Sequence, residues 1–201
     1  MNATPRVLCS MTFCFILLDY CSLIFYFILG TLAHFRHFMS LYYIECYKKT
    51  DALGKVSMIA SSWFGVGLMP VAPGTFASLA SLPLVILNGY NTPAIAALFI
   101  LCFVAFAIWA SGITQNLLGR IDPPQVVIDE VGGTLVALFL VPVSWLSFSL
   151  GFLLFRIFDI IKPFPVGRIE TLKGGKGIVL DDLLAGIYAN VCLRFILFLS
   201  T

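Results

Sequence analysis

Acidic and basic side chains alternate in the second half of this chain, and together they could bind a cation and an anion. The stretch from Phe152 to Gly186 holds nine of the 22 Asp, Glu, Lys and Arg residues. Charge gathered in an otherwise apolar chain is costly unless it has a task. The nine are Arg156, Asp159, Lys162, Arg168, Glu170, Lys173, Lys176, Asp181 and Asp182, and the adjacent acids Asp129 and Glu130 lie upstream.

The residue types in this region favour magnesium over zinc. No histidine lies there, and the six cysteines of the chain show no CxxC spacing. Hard oxygen ligands without His or Cys suit magnesium, with water and phosphate completing the coordination. A phosphomonoester fits such a site, because metal and basic side chains hold its oxygens while a carboxylate positions or deprotonates the attacking water.

The rest of the chain has the composition of a membrane protein. It is 60% hydrophobic and 11% charged, whereas soluble proteins have about 25% charged residues. Residues 56–119 and 131–155 contain no Asp, Glu, Lys or Arg, and runs of this length are typical of membrane-embedded segments. A net charge of +2 without a basic stripe argues against nucleic acid as a partner. We therefore predict an all-α integral membrane bundle, with short broken helices around a charged interfacial site.

Residues 1–50 form a hydrophobic arm that differs from the rest. Its apolar stretch, Met11–Ala33, has the character of a signal anchor or first transmembrane helix. Alternatively, the arm is not part of the functional domain and translation begins at Met39. His34 and His37 have no neighbouring carboxylate, so we expect no metal site there. Residues 51–201 are the predicted functional domain, and the nearby Lys48, Lys49 and Lys55 favour a cytoplasmic side for this region.

The stretch GVGLMPVAPGTFAS is expected to begin irregularly and then enter a helix. Glycine and proline disfavour a regular helix at its start. Thr75 is predicted to cap the helix that follows, whose amides could contact a phosphate. We expect that helix to end at Asn88-Gly89 and a long helix to cover Ala94–Leu118.

Pro142 is predicted to divide the apolar run 131–155 into two short arms. A hairpin there would return Asp159 to the side of the membrane that carries Asp129. Asp129 and Glu130 point about 100° apart on a helix, so only one is expected to aim directly at a given point. Arg156 and Asp159 share a helix face.

The segment after Lys162 is expected to be a loop that binds an anion. Gly174, Gly175 and Gly177 would let backbone amides approach phosphate closely. Asp181 and Asp182 are placed at the start of a final helix, Leu183–Leu199, where acids also suit the helix dipole.

Four ordered motifs resemble those of the phosphatidylglycerophosphatase A family: GVGLMPVAPGTFASL, VVIDEVGG, FRIFDIIKPFPV and GGKGIVLDDLLAG. The similarity covers roughly residues 57–197. It implies a magnesium-dependent enzyme of the bacterial inner membrane, with its site facing the cytoplasm, that converts the phospholipid phosphatidylglycerophosphate to phosphatidylglycerol. Motif positions carried over from the family are Thr75, Asp129, Glu130, Asp159, Lys162, Asp181 and Asp182.

We expect the following roles for the charged residues. Asp129, Asp159 and Asp181 or Asp182 would bind magnesium, and Glu130 would orient water. The expected phosphate-binding residues are Arg156, Lys162 and Lys176, together with the Thr75 helix start.

Two other functions are less consistent with this sequence. A lipid-headgroup transferase would need an Asp-Gly-x2-Ala-Arg motif, which is absent from the sequence. A non-enzymatic ion carrier or membrane assembly protein would place its carboxylates deep within helices, whereas these acids are expected mostly at helix ends.

Overall fold

The computed structural model describes residues 38–164, 166 and 174–200, and all regular structure in these ranges is helical. The predicted all-α class is confirmed. The helices are α1 (38–49), α2 (Ala52–Ser61), a 3-10 turn (Val66–Leu68), α3 (Pro73–Ala80), α4 (Leu82–Gly89), α5 (Pro93–Leu118), α6 (Ile128–Ala137), α7 (Trp145–Ile161) and α8 (Gly175–Leu199).

Helices α5 and α8 are long and apolar enough to cross a bilayer. They have 26 and 25 residues, or about 39 and 38 Å at 1.5 Å per residue. In the most apolar 18-residue stretch of each helix, only 22% of the residues in α5 and 28% of those in α8 are buried. The core helix of a soluble protein would be mostly buried, so these exposed apolar surfaces indicate a membrane protein.

Helices α6 and α7 form the predicted hairpin, and the chain between them contains Pro142. Helix α6 has ten residues, about 15 Å, which is shorter than a hydrocarbon core of about 30 Å. The Ser144 hydroxyl caps α7 by accepting a hydrogen bond from the Ser147 amide at 3.1 Å. The hairpin returns Asp159 to Asp129, since both line the same cavity.

Glycines allow α6 and α5 to pack closely against α8. A Cβ atom on Gly186 would lie 2.5 Å from the carbonyl oxygen of Gly133. A Cβ atom on Gly175 would lie 2.2 Å from the carbonyl oxygen of Ile108 in α5. Such contacts exclude any side chain. The close packing of α6 on α8 therefore brings the acids of both helices to one place.

Polar side chains of α8 hold the turn between α6 and α7. The Asn190 amide donates hydrogen bonds of 2.9 Å to the carbonyls of Ala137 and Phe139. Arg194 donates to the carbonyls of Phe139 and Leu140 at 2.8 and 3.0 Å. We call Asn190 and Arg194 the turn latch. It satisfies carbonyls that a helix end would otherwise leave without partners.

Three local predictions were wrong. The segment expected to be one helix ending at Asn88-Gly89 does end at Gly89, but it consists of two helices, α3 and α4, joined at Ser81. The last helix begins at Gly175, eight residues before Leu183, because Gly174 with a φ of 77° starts it. Asp181 and Asp182 therefore lie inside α8 and not at its start.

Some predictions concern residues outside the described ranges. These are residues 1–37, with His34 and His37, and residues 167–173, with Arg168, Glu170 and Lys173.

Candidate functional site

A polar cavity of about 290 Å³ lies where the C-terminal ends of α5 and α7 meet the N-terminal ends of α3, α6 and α8. Since a water molecule occupies about 30 Å³ in the liquid, this volume equals about ten waters. It suits a small phosphorylated headgroup. The charged residues in its wall are Asp122, Asp129, Glu130, Arg156, Asp159, Lys162, Asp181 and Asp182.

Two basic side chains in the cavity are already engaged by acids. Arg156 forms ion pairs with Glu130 from α6 and with Asp159, one turn away on α7, the latter at 3.0 Å. Lys162, which caps α7 with a φ of 46°, lies 3.0 Å from the Asp181 carboxylate. These pairs link α6, α7 and α8 across the cavity. An incoming phosphate would compete with the carboxylates for the same two cations.

Three buried aspartates have oxygens that could accept a further ligand. Oδ1 of Asp129, Oδ1 of Asp181 and Oδ2 of Asp182 have no hydrogen-bond partner within the described ranges. We call these three residues the open carboxylates. Each lines the cavity and is at least nine-tenths buried. Buried polar atoms are normally hydrogen-bonded, so an exception in a cavity marks a place for a cation or a donor group.

Glu130 is held against α3 by two small residues. Gly74 lets the carboxylate approach, since a Cβ atom there would lie 1.7 Å from Oε1 of Glu130. The Ser78 hydroxyl, one turn along α3, lies 3.4 Å from Oε2. Burial raises the pKa of Glu130 to about 7, although Arg156 opposes the shift. Burial, followed by the charge of Glu130, also raises the pKa of Asp129.

Most predicted site residues converge, but two do not. Asp129 and Glu130 both line the cavity but make different contacts there, since Glu130 pairs with Arg156 and Oδ1 of Asp129 has no hydrogen-bond partner among the described residues. Thr75 and Lys176 are not among the residues that line it, and Lys176 is exposed. The predicted capping role of Thr75 is wrong, because α3 begins at Pro73 with Ala72 as its N-cap.

The expected glycine cradle is only partly present. Gly174 and Gly177 line the cavity. Gly175 does not, and it serves the contact with α5 described above. Because α8 begins at Gly175, the backbone amides of Gly175 and Gly177 lie in the first turn of a helix and not in an open loop.

Three cavity residues, and Ser78, which contacts Glu130, were missed by the sequence analysis. Gly74 and Ser78 are four apart on one helix face, and that spacing inside the first motif was the available signal. Asp122 lines the cavity with a φ of 52°, which is uncommon for a residue other than glycine. Gln115 in α5 also lines the cavity. Its buried side-chain oxygen has no hydrogen-bond partner in the described structure. No charge or spacing marked Gln115.

The donor set fits magnesium. Carboxylate oxygens are its preferred ligands, and the open carboxylates supply them. Among the described residues, however, no three acidic, His or Cys side chains form a ready-made ligand group. Magnesium usually keeps several waters and binds through one or two carboxylates and a substrate phosphate. The arrangement is therefore compatible with such an ion.

Comparison with known proteins identifies relatives over the same part of the chain. A family described as phosphatidylglycerophosphatase A matches residues 59–197, which confirms the resemblance seen in the motifs. No solved structure matches the chain.

Three curated relatives have similar degrees of identity. Phosphatidylglycerophosphatase A of Haemophilus influenzae is 37% identical over 148 residues, covering 72% of this chain and 90% of its own length. The Escherichia coli K12 protein of the same name is 33% identical over 135 residues, covering 66% and 78%. A provisionally named phosphatidylinositol-3-phosphatase of Bacteroides thetaiotaomicron is 36% identical over 142 residues, covering 67% and 89%.

Proposed function

The chain belongs to the phosphatidylglycerophosphatase A family, and on this premise we propose the reaction that its cavity performs. It is an enzyme, a phosphatidylglycerophosphatase. It hydrolyses the terminal phosphomonoester of phosphatidylglycerophosphate in the presence of magnesium and releases phosphatidylglycerol and phosphate. The observation that supports this most strongly is the cavity wall, where open carboxylates lie beside two basic side chains.

Magnesium would be held by the open carboxylates and by Asp159. When bound, it would neutralise charge on the phosphate oxygens. Several carboxylates buried together lose solvation and repel one another. The positive charge of magnesium would offset both costs.

Arg156 and Lys162 would bind the phosphate by exchanging carboxylate partners for phosphate oxygens. Their positions, fixed by Glu130, Asp159 and Asp181, keep both cations aimed into the cavity. Glu130 would orient the attacking water and accept its proton while the water oxygen forms a bond to phosphorus. The ester bond to the glycerol oxygen breaks, and that oxygen takes up a proton.

The enzyme would lie in the bacterial inner membrane with this site on the cytoplasmic side. Lys48 and Lys49 are exposed at the end of α1. Lys49 lines a surface depression together with Leu117, near the C-terminal end of α5 where the cavity lies. Basic residues flanking membrane segments favour the cytoplasmic side.

A second candidate headgroup comes from the relative named as a phosphatidylinositol-3-phosphatase, which is about as similar to this chain as the others. The same cavity chemistry would serve a phosphate on an inositol ring. The two candidates differ only in the substrate that presents the phosphomonoester.

The test is phosphate release by purified protein in detergent micelles, with either lipid, in magnesium or in chelator. We expect magnesium-dependent release from phosphatidylglycerophosphate. Faster release from phosphatidylinositol 3-phosphate would favour the second candidate. No release of phosphate from either lipid by folded protein would contradict both and favour the ion-carrier alternative.

A further inference from the structure

Large apolar side chains are exposed on three segments that contribute residues to the cavity wall. Ile121, which itself lines the cavity beside Asp122, is 85% exposed. Val71 precedes the lining residues Ala72 and Pro73 and is also exposed. Ile161 and Phe164 flank Lys162 on either side and are 68% and 73% exposed. We call Val71, Ile121, Ile161 and Phe164 the apolar rim.

An apolar rim is unfavourable beside water and favourable beside lipid. Removing such a side chain from water is favourable in proportion to the apolar area that is buried. All four lie outside the long helices α5 and α8, and only Ile161, the last residue of α7, belongs to a helix at all, so a plain lipid-facing helix surface does not explain them. Ile121 itself lines the cavity, and the other three are one or two residues along the chain from lining residues.

The size of the cavity limits what the rim can contact. About 290 Å³ is at the lower end of the range for ligand pockets and accommodates a phosphorylated headgroup without acyl chains. The remainder of a lipid whose phosphate lies in the cavity must therefore leave through the mouth. The exposed Lys176 lies between the lining residues Gly174 and Gly177 and adds positive charge there, which attracts anionic lipid.

We propose that the apolar rim binds the diacylglycerol part of the lipid whose phosphate occupies the cavity. This inference rests on the proposed function. The rim would make the enzyme prefer phosphomonoesters on membrane lipids to phosphomonoesters dissolved in water. Lys176 acts at the mouth and not within the cavity.

The rim can be tested with two substrates that share one headgroup. One is phosphatidylglycerophosphate in vesicles, and the other is its deacylated form, glycerophosphoglycerophosphate. The test variant is V71S/F164S, and the matched control is Trp145→Ser, which removes a side chain that is 83% exposed at the opposite end of α7. The measured quantity is the ratio of kcat/KM on the lipid to kcat/KM on the deacylated compound.

We expect V71S/F164S to lower this ratio at least about tenfold, since about 1.4 kcal/mol corresponds to a factor of ten, and the control to leave it unchanged. An unchanged ratio in V71S/F164S would overturn the rim proposal. An equal loss on both substrates would also overturn it, because the rim would then act through the fold or the cavity.

A second measurement separates failure of the rim from failure of the proposed function. A photo-crosslinking phenylalanine analogue is placed at position 121 of the full chain in lipid nanodiscs. The proposal predicts crosslinks from this position to acyl chains, whether or not phosphate is released. Absence of lipid crosslinks at 121, with lipid captured from position 145 as a positive control, would contradict the rim even for an active enzyme.

Discussion

The two ends of the helical hairpin differ in whether their polar side chains are hydrogen-bonded. At the α6–α7 turn, the turn latch places Asn190 and Arg194 against backbone carbonyls at 2.8–3.0 Å. At the cavity, the open carboxylates bury oxygens that have no hydrogen-bond partner in the described part of the chain. Paired polar groups stabilise a fold, whereas unpaired ones at a cavity are a cost that a ligand can remove. The difference separates a structural end from a functional end.

The largest effect is expected from removing charge at the functional end. Asp159→Asn or Asp181→Asn should lower phosphate release by at least about 100-fold, because the site loses a carboxylate that binds the cation or fixes a basic side chain. Thermal unfolding in detergent should remain close to that of the unmodified protein. Full activity in both variants would remove the metal-site proposal.

A methyl group on Gly74 should displace Glu130. The added Cβ atom would lie 1.7 Å from Oε1 of Glu130, so Gly74→Ala forces the carboxylate to shift. We expect kcat to fall about 10- to 100-fold, as for other losses of catalytic positioning. Gly112→Ala is the control, because a Cβ atom there would lie at an ordinary 3.5 Å from its nearest neighbour, the amide nitrogen of Gly175, and kcat in that variant should fall less. Equal kcat values in the two variants would mean that the approach of α3 to Glu130 is unimportant.

Lys162→Ala should mainly weaken substrate binding. The ammonium lies 3.0 Å from Asp181, and a phosphate would compete with that carboxylate for it, so KM should rise about tenfold with a smaller change in kcat. Steady-state kinetics on mixed micelles measures both constants. An unchanged KM would count against a phosphate-binding role.

The turn latch should affect stability and not chemistry. Asn190→Ala leaves the carbonyls of Ala137 and Phe139 without these donors, and we expect a loss of about 1–3 kcal/mol in the free energy of unfolding. Activity per folded molecule should stay near that of the unmodified enzyme. A selective loss of kcat with normal stability would show that the two ends are not separate in function.

The smallest effect is expected from deleting residues 1–38. Tyr43 in α1 still donates to the carbonyl of Met58 after this deletion, so the contact between α1 and α2 is retained. Activity in membranes should be unchanged if the arm is dispensable. Lost activity in a stably inserted protein would assign the arm a role.

The sequence was informative where charge or proline stood out against an apolar background. Pro142 predicted the hairpin, and the spacing of Arg156 and Asp159 placed them together. The end of α5 at Leu118 was also predicted correctly.

It was uninformative where packing decides. A glycine next to acids can mark a loop or a close helix crossing, and only the contact of Gly175 with α5 distinguishes the two. Thr75 has the residue type of a helix cap, yet Pro73 begins the helix and Ser78 reaches Glu130. Gln115 lies in an uncharged run, and only its position in the fold places it at the cavity, so no sequence pattern marks it.

Divalent-cation binding tests the account most directly, because we propose that the open carboxylates bind a cation. Manganese(II) binding to purified protein can be followed by electron paramagnetic resonance, with magnesium as competitor. We predict that the unmodified protein and Asn190→Ala bind manganese, that magnesium displaces it, and that D129N/D182N does not bind. Equal manganese binding by folded D129N/D182N, or none by the unmodified protein, would contradict the assignment of the open carboxylates as cation ligands.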